Sequence, residues 1–378
     1  MRRAVACVSV VAFGGGVAIP VATANAQRIP EAADSSFAAL VARLSETGGY
    51  FDSDNIISNE LTYLSVDSQL AMLGVHGGVY IGVGPDQNFS YIALIRPSMA
   101  FMLDIRRDNM LEHLLFKSLF AVARNRLEYL CLLFGRPVPP DVGAWAVRST
   151  ADIIAYLDRT PSDARAAAVS RDASNDRITN YHVPLDAHDR EVLDRYRAEF
   201  VQDGLETRYS SLGRNNRGDY PSFRDLLLAT NRDGRQASYL ASERAFEVIR
   251  DMEREGRIVP VVGNVAGPHA VRAIGDYARA RHMKVSAFYL SNVEQYLITR
   301  QGGFDTYVDN LRALPRDSTS VVIRSFFGRF GQPHPLAIPA SGSQSVQMIE
   351  PIDELLREYD AGEIRDYLDL VLHGYVRP

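Results

Sequence analysis

Two glycines and three polar side chains fall together in Gly82-Val83-Gly84-Pro85-Asp86-Gln87-Asn88, directly after the apolar stretch Val79-Tyr80-Ile81. Glycine lets a chain turn tightly and lets a ligand come close to the backbone, while Asp86, Gln87 and Asn88 can converge on that ligand. Asp104 follows 20 residues after Gly84. That interval suits a carboxylate that accepts hydrogen bonds from ribose hydroxyls. Two more polar clusters, Gly263-Asn264-Val265-Ala266-Gly267-Pro268 and Ser291-Asn292-Val293-Glu294, also follow apolar stretches. Together they describe a site for a small polar or nucleoside-like ligand. Each residue also has a structural reading: glycines end strands, Asp104 can cap a helix, and Asn292 and Glu294 can be a cap and a first-turn acid.

Other chemistries have thinner support. Arg106, Arg107, Arg324 and Arg329 could hold a phosphate or carboxylate through paired donors, or simply lie along the surface with packed stems. Asp86, Asp104 and Glu294 could share acid–base work or a divalent ion if their strand ends converged. No Gly-x-Ser-x-Gly turn, phosphate loop ending in Gly-Lys-Ser/Thr or His-Glu-x-x-His pair occurs. The 8 histidines are scattered, so the sequence names no metal site. Cys131 lies in the apolar run Glu128–Phe134 and reads as a buried structural thiol.

These loops need elements to carry them. Apolar spacing predicts a helix over 35–44 and helical turns up to Leu73, then a strand at 79–83 and a helix to about Ile95. A strand at 100–104 and one long helix over 109–134 follow. Residues 136–231 carry many Asp, Arg and Ser and no convincing buried strand, and read as a helical insertion serving as a lid or a protein-partner surface. The α/β pattern resumes with a helix at 242–256, strands at 258–262 and 285–290 separated by a helix at 270–280, and a strand at 320–327. A long Gly/Pro/Ser loop and two short helices, 353–356 and 364–373, complete the chain. Strands alternating with helices predict an α/β fold with a doubly wound, Rossmann-like sheet.

The 378 residues include 41 basic and 46 acidic side chains, a net charge of −5, and 23% are charged. That balance excludes a disordered tail protein and a charge-driven nucleic-acid binder. Arg2 and Arg3 precede an uncharged run ending in Ala24-Asn25-Ala26, the pattern of a secretory signal over residues 1–26. Cleavage before Gln27 would leave a single α/β domain over 27–378, with no mature transmembrane segment and a periplasmic or secreted location. Its charge would be 39 minus 46, or −7, and Cys131 would be its one cysteine.

On its glycine loop and acid, Val79 to Asp104 resembles the first half of a class I S-adenosylmethionine-dependent methyltransferase. The resemblance implies that Gly82 and Gly84 are the first two loop glycines and Asp104 the ribose-binding acid, with S-adenosylmethionine as cofactor. Tyr80 stands where that fold usually has an acid, and Asp86 where a third glycine is common. More specifically, Ser58-Asn59-Glu60, Gly82 to Phe89, Asp104 to Arg107, Gly263 to Pro268 and Tyr289 to Tyr296 are similar to an uncharacterised family of bacterial, often exported proteins with a methyltransferase-like fold. That family brings no catalytic assignment. Export would also put the fold outside the compartment where the methyl donor is made, which leaves another ligand, or a non-enzymatic interaction role, as alternatives. An intact-mass measurement of the secreted protein should show loss of residues 1–26; a species that keeps Met1 to Ala26 contradicts the signal.

Overall fold

The computed structural model describes residues 31–211, 220–301, 303–328, 334–338 and 345–377. The expected signal over residues 1–26 and Arg329 lie outside them. β1 (Val79–Gly82), β2 (Met99–Asp104), β3 (Ile258–Val262), β4 (Val285–Ser291) and β5 (Val321–Phe327) run parallel, and β6 (Ser345–Pro351) runs antiparallel to β5. They form one sheet in the order β3-β2-β1-β4-β5-β6. This is a mixed α/β architecture of the Rossmann-like kind. The strands are buried almost throughout because helices cover a parallel sheet, so they read as continuous apolar runs.

Helix Asn88–Ile95 follows β1, and helix Arg107–Val122 follows β2 and packs on β2 and β3. Helix Ala270–Arg279, which leads from β3 to β4, packs on helix Phe304–Ala313, which leads from β4 to β5. Right-handed crossovers send these two sets to opposite faces, since the order runs outward one way from β1 and the other way from β4.

Both edges of the sheet are covered. β6 meets the 3-10 turn Tyr63–Val66, and helix Glu31–Leu44 lies against β3. Gly263 N–H donates to Asp104 O at 2.8 Å, so by alternation the amide position of Pro260 faces outward. A proline is tolerated there because β3 has no further strand to bond. Ser45 Oγ accepts from the outward Val262 N–H at 3.1 Å, and Glu46 N–H donates to Val262 O at 2.9 Å.

Three elements differ from the sequence expectation. The long helix over 109–134 is two helices, Arg107–Val122 and Arg126–Leu133. Ala123 is extended, and the Asn125 side chain accepts from Glu128 N–H at 3.0 Å, capping the second helix. β6 lies where the Gly, Pro and Ser residues predict a continuous loop; its polar Gln347 and Glu350 are fully buried and bonded to side chains inside. The first of the two C-terminal helices, Ile352–Asp360, is longer than expected.

Residues 136–231 contain helices Thr150–Arg159, Ala164–Asn180, Ala187–Asp203 and Phe223–Leu228. Many of their Asp and Ser residues are caps: Ser149 with Asp152, Asp186 with Asp189, and Ser222 with Asp225 form capping boxes, and Asp163 caps a fourth helix. Helices Ala164–Asn180 and Ala187–Asp203 pack on Arg107–Val122.

Beneath β4–β6 lies a buried ionic cluster. Arg324 Nε reaches Glu294 Oε2 at 2.6 Å and its Nη1 pairs with Glu350, while Tyr307 OH donates to Glu294 Oε1 at 2.8 Å. All four side chains are at most 1% exposed. Arg324→Met should lower unfolding free energy by about 3–5 kcal/mol, because two buried carboxylates lose their cation. Urea unfolding of wild type and variant would measure this, and a change under about 1 kcal/mol contradicts it.

Candidate functional site

The order of the strands reverses between β1 and β4, and a cleft of about 140 Å³ opens at their carboxyl ends. The loop after β1 contributes Gly84 and Gln87, the end of β2 contributes Asp104 and Arg106, and the loop after β3 contributes Asn264. β4 and its exit contribute Tyr289, Ser291 and Asn292. Two other parts of the chain close it. Residues 50–60 supply Phe51, Asn55, Asn59 and Glu60, and the segment after helix Ala187–Asp203 supplies Tyr209 and Tyr220.

Internal hydrogen bonds set the shape of the glycine loop. Gly84 has φ +88°, a conformation that favours glycine. A Cβ on Gly82 would sit 2.0 Å from Asn88 Oδ1, so residue 82 has room for no side chain. Tyr80 OH donates to Asn88 Oδ1 at 2.7 Å, while Asn88 Nδ2 donates to Val83 O at 3.0 Å and Pro85 O at 2.8 Å. From below, His113 Nε2 lies 2.9 Å from Gly84 O. Burial pushes His113 down to about 4, so it is neutral at pH 7 and its Nε2 carries the donating proton.

Of the eight residues singled out from sequence, Gly84, Gln87, Asp104 and Asn292 line this cleft. Gly82, Asp86, Asn88 and Glu294 are not among its lining residues. Gly82 and Asn88 are consumed in shaping the loop. Asp86 turns beneath it, lining a separate small cavity with Tyr63, and accepts from Tyr239 OH at 2.9 Å. Burial raises Asp86 to about 6, opposed by hydrogen bonds from Tyr239 and from the backbone N–H groups of Asp86 and Gln87. Glu294 belongs to the ionic cluster with Arg324. Asp86, Asp104 and Glu294 therefore occupy separate surroundings, and among the described residues no group of three or more metal-ligating side chains assembles.

Three of the four arginines considered as anion binders, Arg106, Arg107 and Arg324, are engaged within the protein. Asp104 Oδ1 accepts from Arg106 N–H at 2.8 Å and meets the guanidinium at 3.3 Å. The same guanidinium donates to Ser53 O at 3.0 Å and Asp54 O at 2.7 Å. Arg106 thus ties the segment before β1 to the end of β2. Arg107 makes a two-pronged pair with Asp189 at 2.7 Å on both bonds, and Arg324 is in the buried cluster.

Reading only strand ends misses Glu60, which lies ahead of β1. Its carboxylate accepts from Tyr289 OH at 2.7 Å, Ser291 Oγ at 2.5 Å, Gln347 Nε2 at 3.1 Å and Gln87 Nε2 at 3.4 Å. Burial and the Glu60 charge raise the Tyr289 hydroxyl well above its ordinary value, so it stays a donor. Ser291 has φ +52°, an uncommon conformation for a side-chain-bearing residue, at the point where its hydroxyl meets Glu60. The word Ser58-Asn59-Glu60 was visible in the sequence, but no local pattern pairs it with β4 or β6.

Residues 55–134 and 184–360 match a family model described as a domain of unknown function, DUF7790. The two matched segments hold all six strands and Glu60. No curated protein matches the chain.

The state of Asp86 predicts a pH response. Its folded value of about 6 lies above its ordinary 3.8, so the stability it contributes is complete below 3.8 and is lost as pH rises through 6. Asp86→Asn, which keeps an acceptor for Tyr239 and does not ionise, should gain roughly 3 kcal/mol relative to wild type between pH 4 and 7. Denaturant unfolding at a series of pH values would measure this; a stability difference that does not change with pH rules the shift out.

Proposed function

The chain belongs to the DUF7790 family, and on that premise we propose that its strand-end cleft binds a small, polar, nucleoside-like molecule. The observation carrying this reading is the convergence of loops from β1, β2, β3 and β4 on one cavity at the strand-order reversal. Asp104, at the end of β2, supplies an acceptor suited to a sugar diol. Gly84 lines the cavity with backbone and no side chain, and Tyr209 and Tyr220 supply aromatic surface. The helical stretch 136–231 then acts as a lid over the cleft rather than only as a surface for a protein partner, because both tyrosines come from it. The basic start and Ala24-Asn25-Ala26 support export of a single domain over 27–378 to the periplasm or outside the cell.

An S-adenosylmethionine-dependent methyltransferase is the second reading. It is favoured by a positive-φ glycine after β1 and an acid at the end of β2 on the same cleft. Asp86 lies beneath the loop, which removes the carboxylate that would otherwise crowd the cofactor's amino-acid end. A non-enzymatic interaction module is the third, and it predicts an unliganded cleft.

Isothermal titration of the purified chain with adenosine and with S-adenosylmethionine separates these readings. Nucleoside binding predicts saturable binding of adenosine that weakens about tenfold or more in Asp104→Asn, with folding of the variant checked by circular dichroism. Binding of S-adenosylmethionine at least about tenfold tighter than adenosine would favour the methyltransferase reading. Absence of binding of both to folded protein defeats the nucleoside proposal.

A further inference from the structure

We infer that the molecule bound in this cleft carries a positively charged hydrogen-bond donor, an ammonium or amidinium group, whose counter-charge is the Glu60 carboxylate. This rests on the reading of the cleft as a small-molecule site and adds the charge and hydrogen-bonding class of the ligand.

The first support is the company Glu60 keeps. It lines the cleft and is 1% exposed, yet its four donors are a tyrosine, a serine and two glutamines, all neutral. Hydrogen bonds of this kind hold a buried carboxylate without cancelling its charge. Gln347 is oriented for that task, since its Oε1 accepts from Thr62 Oγ1 at 2.6 Å and its amide nitrogen faces Glu60.

The second support is the charge balance of the cavity wall. Asp104 and Arg106 also line it, but they pair with each other. Among the described lining residues there is no other cation, so Glu60 sets the sign of the field inside. A phosphate or carboxylate would meet that field with no free guanidinium to offset it, whereas a cation would complete an ion pair shielded from water.

The third support separates a donor from a quaternary cation. Gln87 lines both the cleft and the small cavity beside Asp86, is 4% exposed, and its buried Oε1 has no donor inside the described protein. Its amide nitrogen donates to the Tyr289 hydroxyl and to Glu60, which only accepts, and this sets its orientation. Glu60 thus presents an accepting carboxylate, which N–H groups satisfy and N-methyl groups do not. Tyr296 and Phe51, in edge contact at 5.0 Å, add ring surface that tolerates a cation.

The test uses the full chain and three probes that differ at one position: adenosine, 5′-amino-5′-deoxyadenosine and adenosine 5′-monophosphate, each titrated calorimetrically. The amine is expected to bind at least about tenfold tighter than adenosine, and the monophosphate more weakly than adenosine. Glu60→Gln, which keeps the size and removes the charge, should bring the amine to within about twofold of adenosine, with folding of the variant checked by circular dichroism. Tyr289→Phe, which removes one donor to Glu60 and leaves its charge, should keep the preference for the amine. If adenosine binds and the amine binds no tighter, or if Glu60→Gln retains the preference, the assignment of Glu60 is overturned and the cleft remains a nucleoside site. If none of the three binds to folded protein, the nucleoside reading fails and takes the inference with it.

Discussion

A parallel sheet whose strand order turns back on itself must leave a gap at the carboxyl ends of the two strands where it turns. The helix after β1 and the helix after β4 leave toward opposite faces, and nothing in the sheet itself fills the space between them. The rest of the molecule can be understood from how this gap is bordered. Its floor must be tight, and Gly82, Tyr80 and Asn88 make it so by locking the loop to the end of its own strand. Its rim must be held in place, and Arg106 does this by reaching from Asp104 to the carbonyls of Ser53 and Asp54. Its wall is completed by Glu60, which arrives from a segment ahead of the first strand and is fixed by β4 and β6 together.

Charge is distributed with the same logic. The arginines nearest the strand ends are committed to partners within the chain, one at the rim, one to the capping acid Asp189, one beneath β4–β6. Such buried or half-buried pairs contribute modestly to stability, yet removing either partner is costly. They hold loops and strand ends in register and leave the cavity without a free described cation. The neutral donors around Glu60 then hold its carboxylate in place without supplying a counter-charge.

The architecture was legible in the sequence because buried parallel strands are local signals. Val79 to Ile81, Ile258 to Val262 and Val285 to Leu290 announce themselves as apolar runs followed by glycine or polar loops. Gly84 and Asp104 could be placed for the same reason: each directly follows or ends such a run. What could not be read depends on contacts across long stretches of chain. Asp86 looks equivalent to Gln87 in sequence, but it finds Tyr239 more than 150 residues away and turns under the loop. Glu294 looks like a strand-end acid, but Arg324 on the neighbouring strand claims it. β6 was hidden by the Gly, Pro and Ser residues ahead of it, and its Gln347 and Glu350 find their partners only in the distant Glu60 and Arg324. The break at Asn125 had a local signal, an asparagine able to cap, that the surrounding apolar pattern overrode.

Pro260 has a consequence for how copies of this molecule can meet. An outward row of amide groups along β3 would be a template on which a second sheet could continue. Here one of those groups is missing by covalent structure, and the neighbouring one, on Val262, is already taken by Ser45. The sheet therefore has a finished end on this side. A second sheet continuing across β3 would lack ladder hydrogen bonds at both positions, which disfavours growth into a shared sheet or a fibre along this edge.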